Sequence, residues 1–232
     1  MEAVLLLGFL IGLRHALEAD HLAAVASLAT RAHSVRQSVR MGALWGLGHT
    51  LTLFLFGWLV LVMDVALPET YARWLEFAVG AMLVVLGADV LRRFVRERIH
   101  YHLHRHADGK SHFHAHSHRG EVDHDPGHHD HAHTRALQRR ALYIGLMHGM
   151  AGSAALILLT LQQFTSPVTG LIYVGLFGLG SILGMVLLSL VIAVPMRRVS
   201  TGLTFAHNVL QCVIGLGTVG LGISAMMANW SV

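Results

Sequence analysis

The chain has 232 residues, 54% of them hydrophobic and only 13% charged, with a mean hydropathy of +0.56; these values exclude an ordinary soluble domain and describe a membrane protein. Seventeen Lys and Arg against thirteen Asp and Glu leave a net charge of +4, but the basic residues cluster at the ends of apolar stretches, so membrane topology explains them and nucleic acid is excluded as a partner. The single cysteine, Cys212, lies inside an apolar run, which rules out a disulfide framework and a thiolate metal cluster.

In chain order, apolar stretches at about 3–29, 41–63, 71–92, 139–162, 168–195 and 203–229 are each long enough to cross a ~30 Å hydrocarbon layer as a helix. The expected fold is therefore an all-α integral membrane protein of six transmembrane helices, with no room for a large catalytic domain and membrane lipid as its solvent. The start resembles a signal peptide only superficially, because Glu2 stands where a basic residue belongs. One connection is long. Residues 93–138 hold thirteen of the nineteen histidines: His100, His102, His104, His106, His112, His114, His116, His118, His124, His128, His129, His131 and His133. They alternate with Asp, Gly and Ser and with few large apolar residues, so the segment is expected to be disordered without metal. Free imidazole titrates near ~6.5, so an accessory store of metal here binds through neutral rings and releases on acidification.

Arg31, Arg36 and Arg40 follow the first span, Arg92, Arg93, Arg96, Arg98, Arg135, Arg139 and Arg140 flank the histidine segment, and Arg197 and Arg198 follow the fifth span. These connections are expected in the cytoplasm and both termini outside. The halves also match. GLRHALEADHLA at 12–23 lies over GLMHGMAGSAAL at 145–156, ALWGLGHTL at 43–51 over GLFGLGSIL at 175–183, and VGAMLVVLGA at 79–88 over IGLGTVGLGI at 214–223. Nearly constant spacing over three spans predicts a three-helix unit, residues 1–92, repeated at 139–232, with 93–138 between them. An odd number of spans inverts the second copy, an architecture common in secondary transporters with a site near the midplane.

The chemistry concentrates in the first span, where Arg14, His15, Glu18, Asp20 and His21 fall within eight residues. An ionisable group near the bilayer centre costs at least ~2.5–3.5 kcal/mol, so five together face a cavity, neutralise one another or hold a ligand. Imidazole with carboxylate suits borderline dications such as nickel, cobalt or zinc and suits magnesium or calcium poorly. On a straight helix His15 and His21 are about 120° and ~9 Å apart. Either the helix unwinds between Gly12 and Asp20, or His15 binds with groups from other spans while Glu18 or Asp20 orients an imidazole. The competing arrangement is a self-neutralising cluster in which Arg14 pairs with Glu18 and Asp20 pairs with a histidine. His49 sits inside the second span, opposite Ser181 in the repeat, and His148 is the repeat partner of His15; both are candidate ligands or cross-helix hydrogen-bond groups. Glu76 and Asp89 are read as interfacial. Met147, Met150, Met185, Met226 and Met227 are read as packing or lipid-facing residues.

RHALEADH at 14–21, followed by LGHT at 47–50, resembles the signature of the nickel/cobalt transporter superfamily, NiCoT or NicO, and the short six-span form is most similar to its UreH-like nickel permease branch. The resemblance covers nearly the whole chain outside 100–135. It implies nickel(II) or cobalt(II) as cargo, no required cofactor, an inner-membrane location, recognition by His15, Asp20, His21 and His49, and a cytoplasmic nickel chaperone as a candidate partner. Uptake is the expected direction; efflux of the same ions and export of a small anion are the alternatives, the last opposed by two carboxylates beside Arg14. Glu18 stands where the signature has Asp, and the second-half acidic motif of longer members has no match at 149–155. No HExxH occurs and no nucleotide-binding motif is present, so no enzyme is expected and transport draws on an ion or voltage gradient. The oligomeric state is left open.

Overall fold

The computed structural model describes residues 2–32, 34–63, 69–96, 100–105, 111–116, 131–150, 166–202 and 204–230. The helices are α1 (Glu2–His15), α2 (Ala19–Ala29), α3 (Val35–Met63), α4 (Glu69–Arg96), α5 (His131–His148), α6 (Pro167–Gly202) and α7 (Thr204–Trp230), with two short strands, β1 (His100–Arg105) and β2 (Ser111–His116), between α4 and α5. Among the described residues four helical segments are individually long and apolar enough to cross a membrane: Val35–Leu59, Thr70–Arg96, Pro167–Met196 and Asn208–Trp230. Of the six expected spans, four are thus matched by single helices. The first falls on the shorter apolar helices α1 and α2, and of the fourth, expected at 139–162, only the part up to Met150 lies among the described residues, with α5 ending at His148.

The division of the first span has a local cause. Leu17 N–H donates to the Arg14 carbonyl at 2.9 Å and Glu18 N–H to the His15 carbonyl at 3.0 Å, tight three-residue closures that end α1. Glu18 then turns the chain out with ψ 150°, and its carbonyl accepts Leu22 N–H at 2.9 Å to begin α2. Such a break at membrane depth is tolerated only where protein surrounds it. Elsewhere the helix ends follow their sequence. Ser34 Oγ accepts Gln37 N–H at 3.0 Å to cap α3, and Pro167 occupies the first position of α6, where its missing N–H costs nothing. The fifth span was expected to end at 195, but α6 runs through Pro195 to Gly202; an interior proline removes one hydrogen bond and kinks a membrane helix without necessarily ending it.

Packing pairs α3 with α6, α4 with α7, α1 with α6 and α3 with α5, while α2 lies against α4, α6 and α7. Glycines set these approaches. A Cβ on Gly12 would strike the Phe177 carbonyl, one on Gly145 the Trp45 carbonyl, and one on Gly80 the Gly222 carbonyl at 2.8 Å. The buried centre includes Val25, Leu28, Met41, Trp45, Leu83 and Met185. Leu6, Leu55, Val85, Val191 and Leu216 face outward, apolar faces suited to lipid. Met185 is buried, and Met147 and Met227 are exposed, in line with packing and lipid-facing roles.

Polar connections hold the C-terminal end of α2. Ser27 Oγ and Thr218 Oγ1 are 3.1 Å apart. Asp89 does more than sit at an interface: it accepts from Arg31 Nε at 2.9 Å and forms an ion pair with Arg93 at 3.4 Å, and Arg93 also donates to Thr30 Oγ1 at 2.9 Å.

At residues 100–105 and 111–116 the histidine segment forms strands rather than the expected disorder. β1 and β2 pair antiparallel in the register His100↔His116, His102↔His114 and His104↔His112. The strict alternation in HYHLHR and SHFHAH is the period-two pattern of a strand, a signal that composition alone obscures. His131 and His133 begin α5, whereas His106, His118, His124, His128 and His129 lie outside the described residues.

Candidate metal centre

The break in the first span brings its two histidines together. His15 closes α1, and Asp20 and His21 lie in the first turn of α2, so the rings that a straight helix would separate approach to 4.3 Å between centroids. The helix breaks, over the narrower stretch Ala16–Glu18, and the carboxylates of Glu18 and Asp20 lie beside the rings of His15 and His21. α3 contributes His49 and α5 contributes His148. His21 lies at the middle of the group, 4.3 Å from His148 and 5.1 Å from His49 between centroids. All four imidazoles are buried, His21 and His49 completely.

The hydrogen bonds assign the ring nitrogens. Glu18 Oε1 is 2.9 Å from His15 Nδ1, and Asp20 Oδ1 is 2.8 Å from His21 Nδ1 while also accepting the His21 backbone N–H at 2.8 Å. A carboxylate beside Nδ1 holds the proton of a neutral ring there and leaves Nε2 with its lone pair. His21 Nε2 is buried without a hydrogen-bond partner among the described residues. His15 Nε2 lies 3.2 Å from His49 Nε2, so with the His15 proton fixed on Nδ1, His49 Nε2–H donates in the metal-free site; ligation through His49 Nε2 takes the other tautomer, with the proton on Nδ1, which is buried without a partner among the described residues. Metal–nitrogen bonds of ~2.0–2.1 Å place neighbouring ligand atoms about 2.9–3.4 Å apart in square-planar or tetrahedral shells. The His15–His49 separation falls in that range. One ligand atom each from His15, His21 and His49 lies within 4.8 Å of the others, and the same holds for Asp20, His21 and His148.

Every candidate the sequence singled out in the first two spans reaches this cluster, and so does His148, whose Nε2 is 3.1 Å from Asp20 Oδ2. Of the two pairings in the self-neutralising arrangement, Asp20 does meet histidines, His21 at 2.8 Å and His148 at 3.1 Å, whereas Glu18 turns to His15 rather than to Arg14. Ser181 does not join: its Oγ donates to the Gly12 carbonyl at 3.1 Å, bracing α1 beside the break. Glu76, read as interfacial, lines a cleft of about 400 Å³ together with Glu18, Asp20, Ser224 and Asn229. Trp45, which no sequence feature marked, packs its ring 5.3 Å from His21 and 5.4 Å from His148. Only three-dimensional packing separates Trp45 from the other aromatic residues of its span. The small residues at 151–155 lie outside the described residues.

The chain is 31% identical over 224 residues to the urease accessory protein UreH of Bacillus sp. strain TB-90, covering 97% of this chain and 90% of that one. The chain belongs to the UreH family. This is the branch that RHALEADH and LGHT resemble. UreH-like sequence extends to two plastid proteins of Arabidopsis thaliana. Chloroplast protein FOR GROWTH AND FERTILITY 1 is 42% identical over 83 residues, 35% of this chain and 22% of its own length. FOR GROWTH AND FERTILITY 2 is 25% identical over 228 residues, 91% of this chain and 55% of its own length. No family model and no solved structure matches the chain.

Proposed function

We propose that this UreH-family protein carries a divalent transition-metal ion, nickel(II) with cobalt(II) as the alternative cargo, across the inner membrane into the cytoplasm. The observation that carries the reading is the trio His15, His21 and His49: buried imidazoles at a helix break, two of them held by carboxylates in the tautomer that leaves Nε2 free. Imidazole nitrogen favours nickel, cobalt and zinc over magnesium and calcium, and the cargo sheds water on entering a site where the rings replace it. A relative named for urease accessory function favours nickel, the metal of urease. Glu18, Asp20 and Glu76 on the cleft oppose an anion as cargo.

Inverted three-helix repeats supply the transport machinery in this reading, and matched contacts support them. Gly12 on Phe177 is mirrored by Gly145 on Trp45, Gly48 on Leu142 by Gly180 on Phe9, and Gly80 on Gly222 by Gly87 on Gly215, each pair related by the sequence offsets between the halves. The cleft lies near Glu76 and Asn229, away from the Arg31–Asp89–Arg93 connection. With basic ends in the cytoplasm and both termini outside, it faces the exterior, the side from which uptake begins. A dication entering an inside-negative cell at 100 mV gains about 4.6 kcal/mol, twice the ~2.3 per charge, so uptake needs no coupling ion. A cytoplasmic nickel chaperone then receives the ion.

Nickel flux into proteoliposomes tests the proposal. Flux is expected to disappear in His15→Ala and His21→Ala and to survive deletion of 100–133. Flux lost only on that deletion would move the transport site to the histidine segment and overturn the reading.

A further inference from the structure

The cluster contains two overlapping ligand sets, and they differ in exposure and chemistry. His15, His21 and His49 form an all-nitrogen set whose members are buried. Asp20, His21 and His148 form a second set, and its carboxylate is 35% exposed and lines the cleft. His21 belongs to both, with His15 on one side and His148 on the other, each 4.3 Å away between ring centroids. Asp20 Oδ2 and His148 Nε2 are 3.1 Å apart, again the separation of neighbouring ligands around one ion. His148 Nδ1 is buried without a hydrogen-bond partner among the described residues, so the ring is not locked by contacts on both nitrogens.

We infer that Asp20, His21 and His148 form an entry station for the ion, from which it passes to the buried set His15, His21 and His49 while His21 keeps hold of it. The inference rests on the transport reading and assigns His148 a place in it. An ion arriving through the cleft still carries water and meets the carboxylates that line it, Glu18, Glu76 and Asp20, of which Asp20 alone belongs to a ligand set. Carboxylate oxygen binds partly hydrated dications with little discrimination, whereas the imidazole set beyond it accepts a borderline ion that has lost its water. At the station the ion inserts between Asp20 and His148, displacing their hydrogen bond. His21 then stays bound as Asp20 and His148 are exchanged for His15 and His49, so the ion is never left without a protein ligand in a desolvated region. Wherever the ion rests deeper, Asp20 returns to His21 Nδ1 and His148 to Asp20.

A residue on the path, unlike a ligand of the final site, changes the rates of entry and exit together. Trp45 supplies the signal, because its ring lies 5.3 Å from His21 and bound nickel quenches it. In full-length protein whose other tryptophans, Trp58, Trp74 and Trp230, are replaced by Phe, rapid mixing with nickel and with a chelator gives both rate constants. His148→Gln, which keeps a donor for Asp20, is expected to lower association and dissociation each about tenfold and to leave Kd within about twofold. His148→Asn, a second variant with a shorter side chain, is expected to give the same pattern. A variant in which only one rate constant moves, or neither, overturns the entry station. A wild-type protein whose Trp45 is not quenched overturns the transport reading as well, so the two failures are distinguishable.

Discussion

At the scale of single residues, the cluster is legible because charge inside an apolar span is expensive. Glu18, Asp20, His15 and His21 announce themselves against the surrounding Leu and Ala, and His148 is found through the repeat. What the sequence leaves open is which group binds and which one orients, since that depends on distances of 2.8–2.9 Å between carboxylates and Nδ1 atoms. Glu18 is placed to orient His15, and removal of such a partner typically costs 10–100-fold in metal affinity. Glu18→Gln is therefore expected to weaken nickel binding about tenfold, read by equilibrium titration of the purified protein with the histidine segment saturated. Unchanged affinity would show that His15 needs no carboxylate to present Nε2. Trp45 and Glu76 were not legible as site residues, one because aromatic residues are common in spans and the other because it sits near a span end.

Among the elements, the first span shows where pattern reasoning reaches its limit. Apolar residues flank the polar run at 14–21 on both sides, so residues 3–29 read as one span, and backbone geometry separates α1 from α2. The sequence match between the halves, by contrast, includes glycines that sit at close helix contacts. Gly12 meets the Phe177 carbonyl and Gly145 meets the Trp45 carbonyl, and the same glycines mark the aligned halves. Gly12→Leu is expected to destabilise the α1–α6 contact by about 1–3 kcal/mol, the usual range for overpacking, because the neighbour is backbone and cannot rotate away. Thermal unfolding in detergent measures it. A melting temperature equal to wild type would mean that α1 does not lie on α6 as closely as described. The strands of the histidine segment were missed for a different reason: composition argued for disorder while the two-residue alternation of His100–Arg105 and Ser111–His116 argued for pairing.

For the whole molecule, an apolar exterior encloses the buried imidazoles, the proposed transport site, and the histidine segment is the proposed accessory store. The thirteen histidines between 100 and 133 are distant in sequence from His15, His21 and His49, so a deletion separates their contribution. Metal held by the segment is expected to be released as pH falls through about 6.5, where free imidazole gains its proton. Deleting 100–133 is expected to remove that pH-dependent fraction of bound nickel in a titration of the purified protein. If the fraction persisted after the deletion, the store would lie elsewhere. The central claim is tested most directly by a nickel-bound structure of the full chain, read at the nickel absorption edge. The account predicts anomalous density within about 2.0–2.2 Å of Nε2 of His15, His21 and His49; density confined to the histidine segment, with those three rings turned away from any common point, would contradict it.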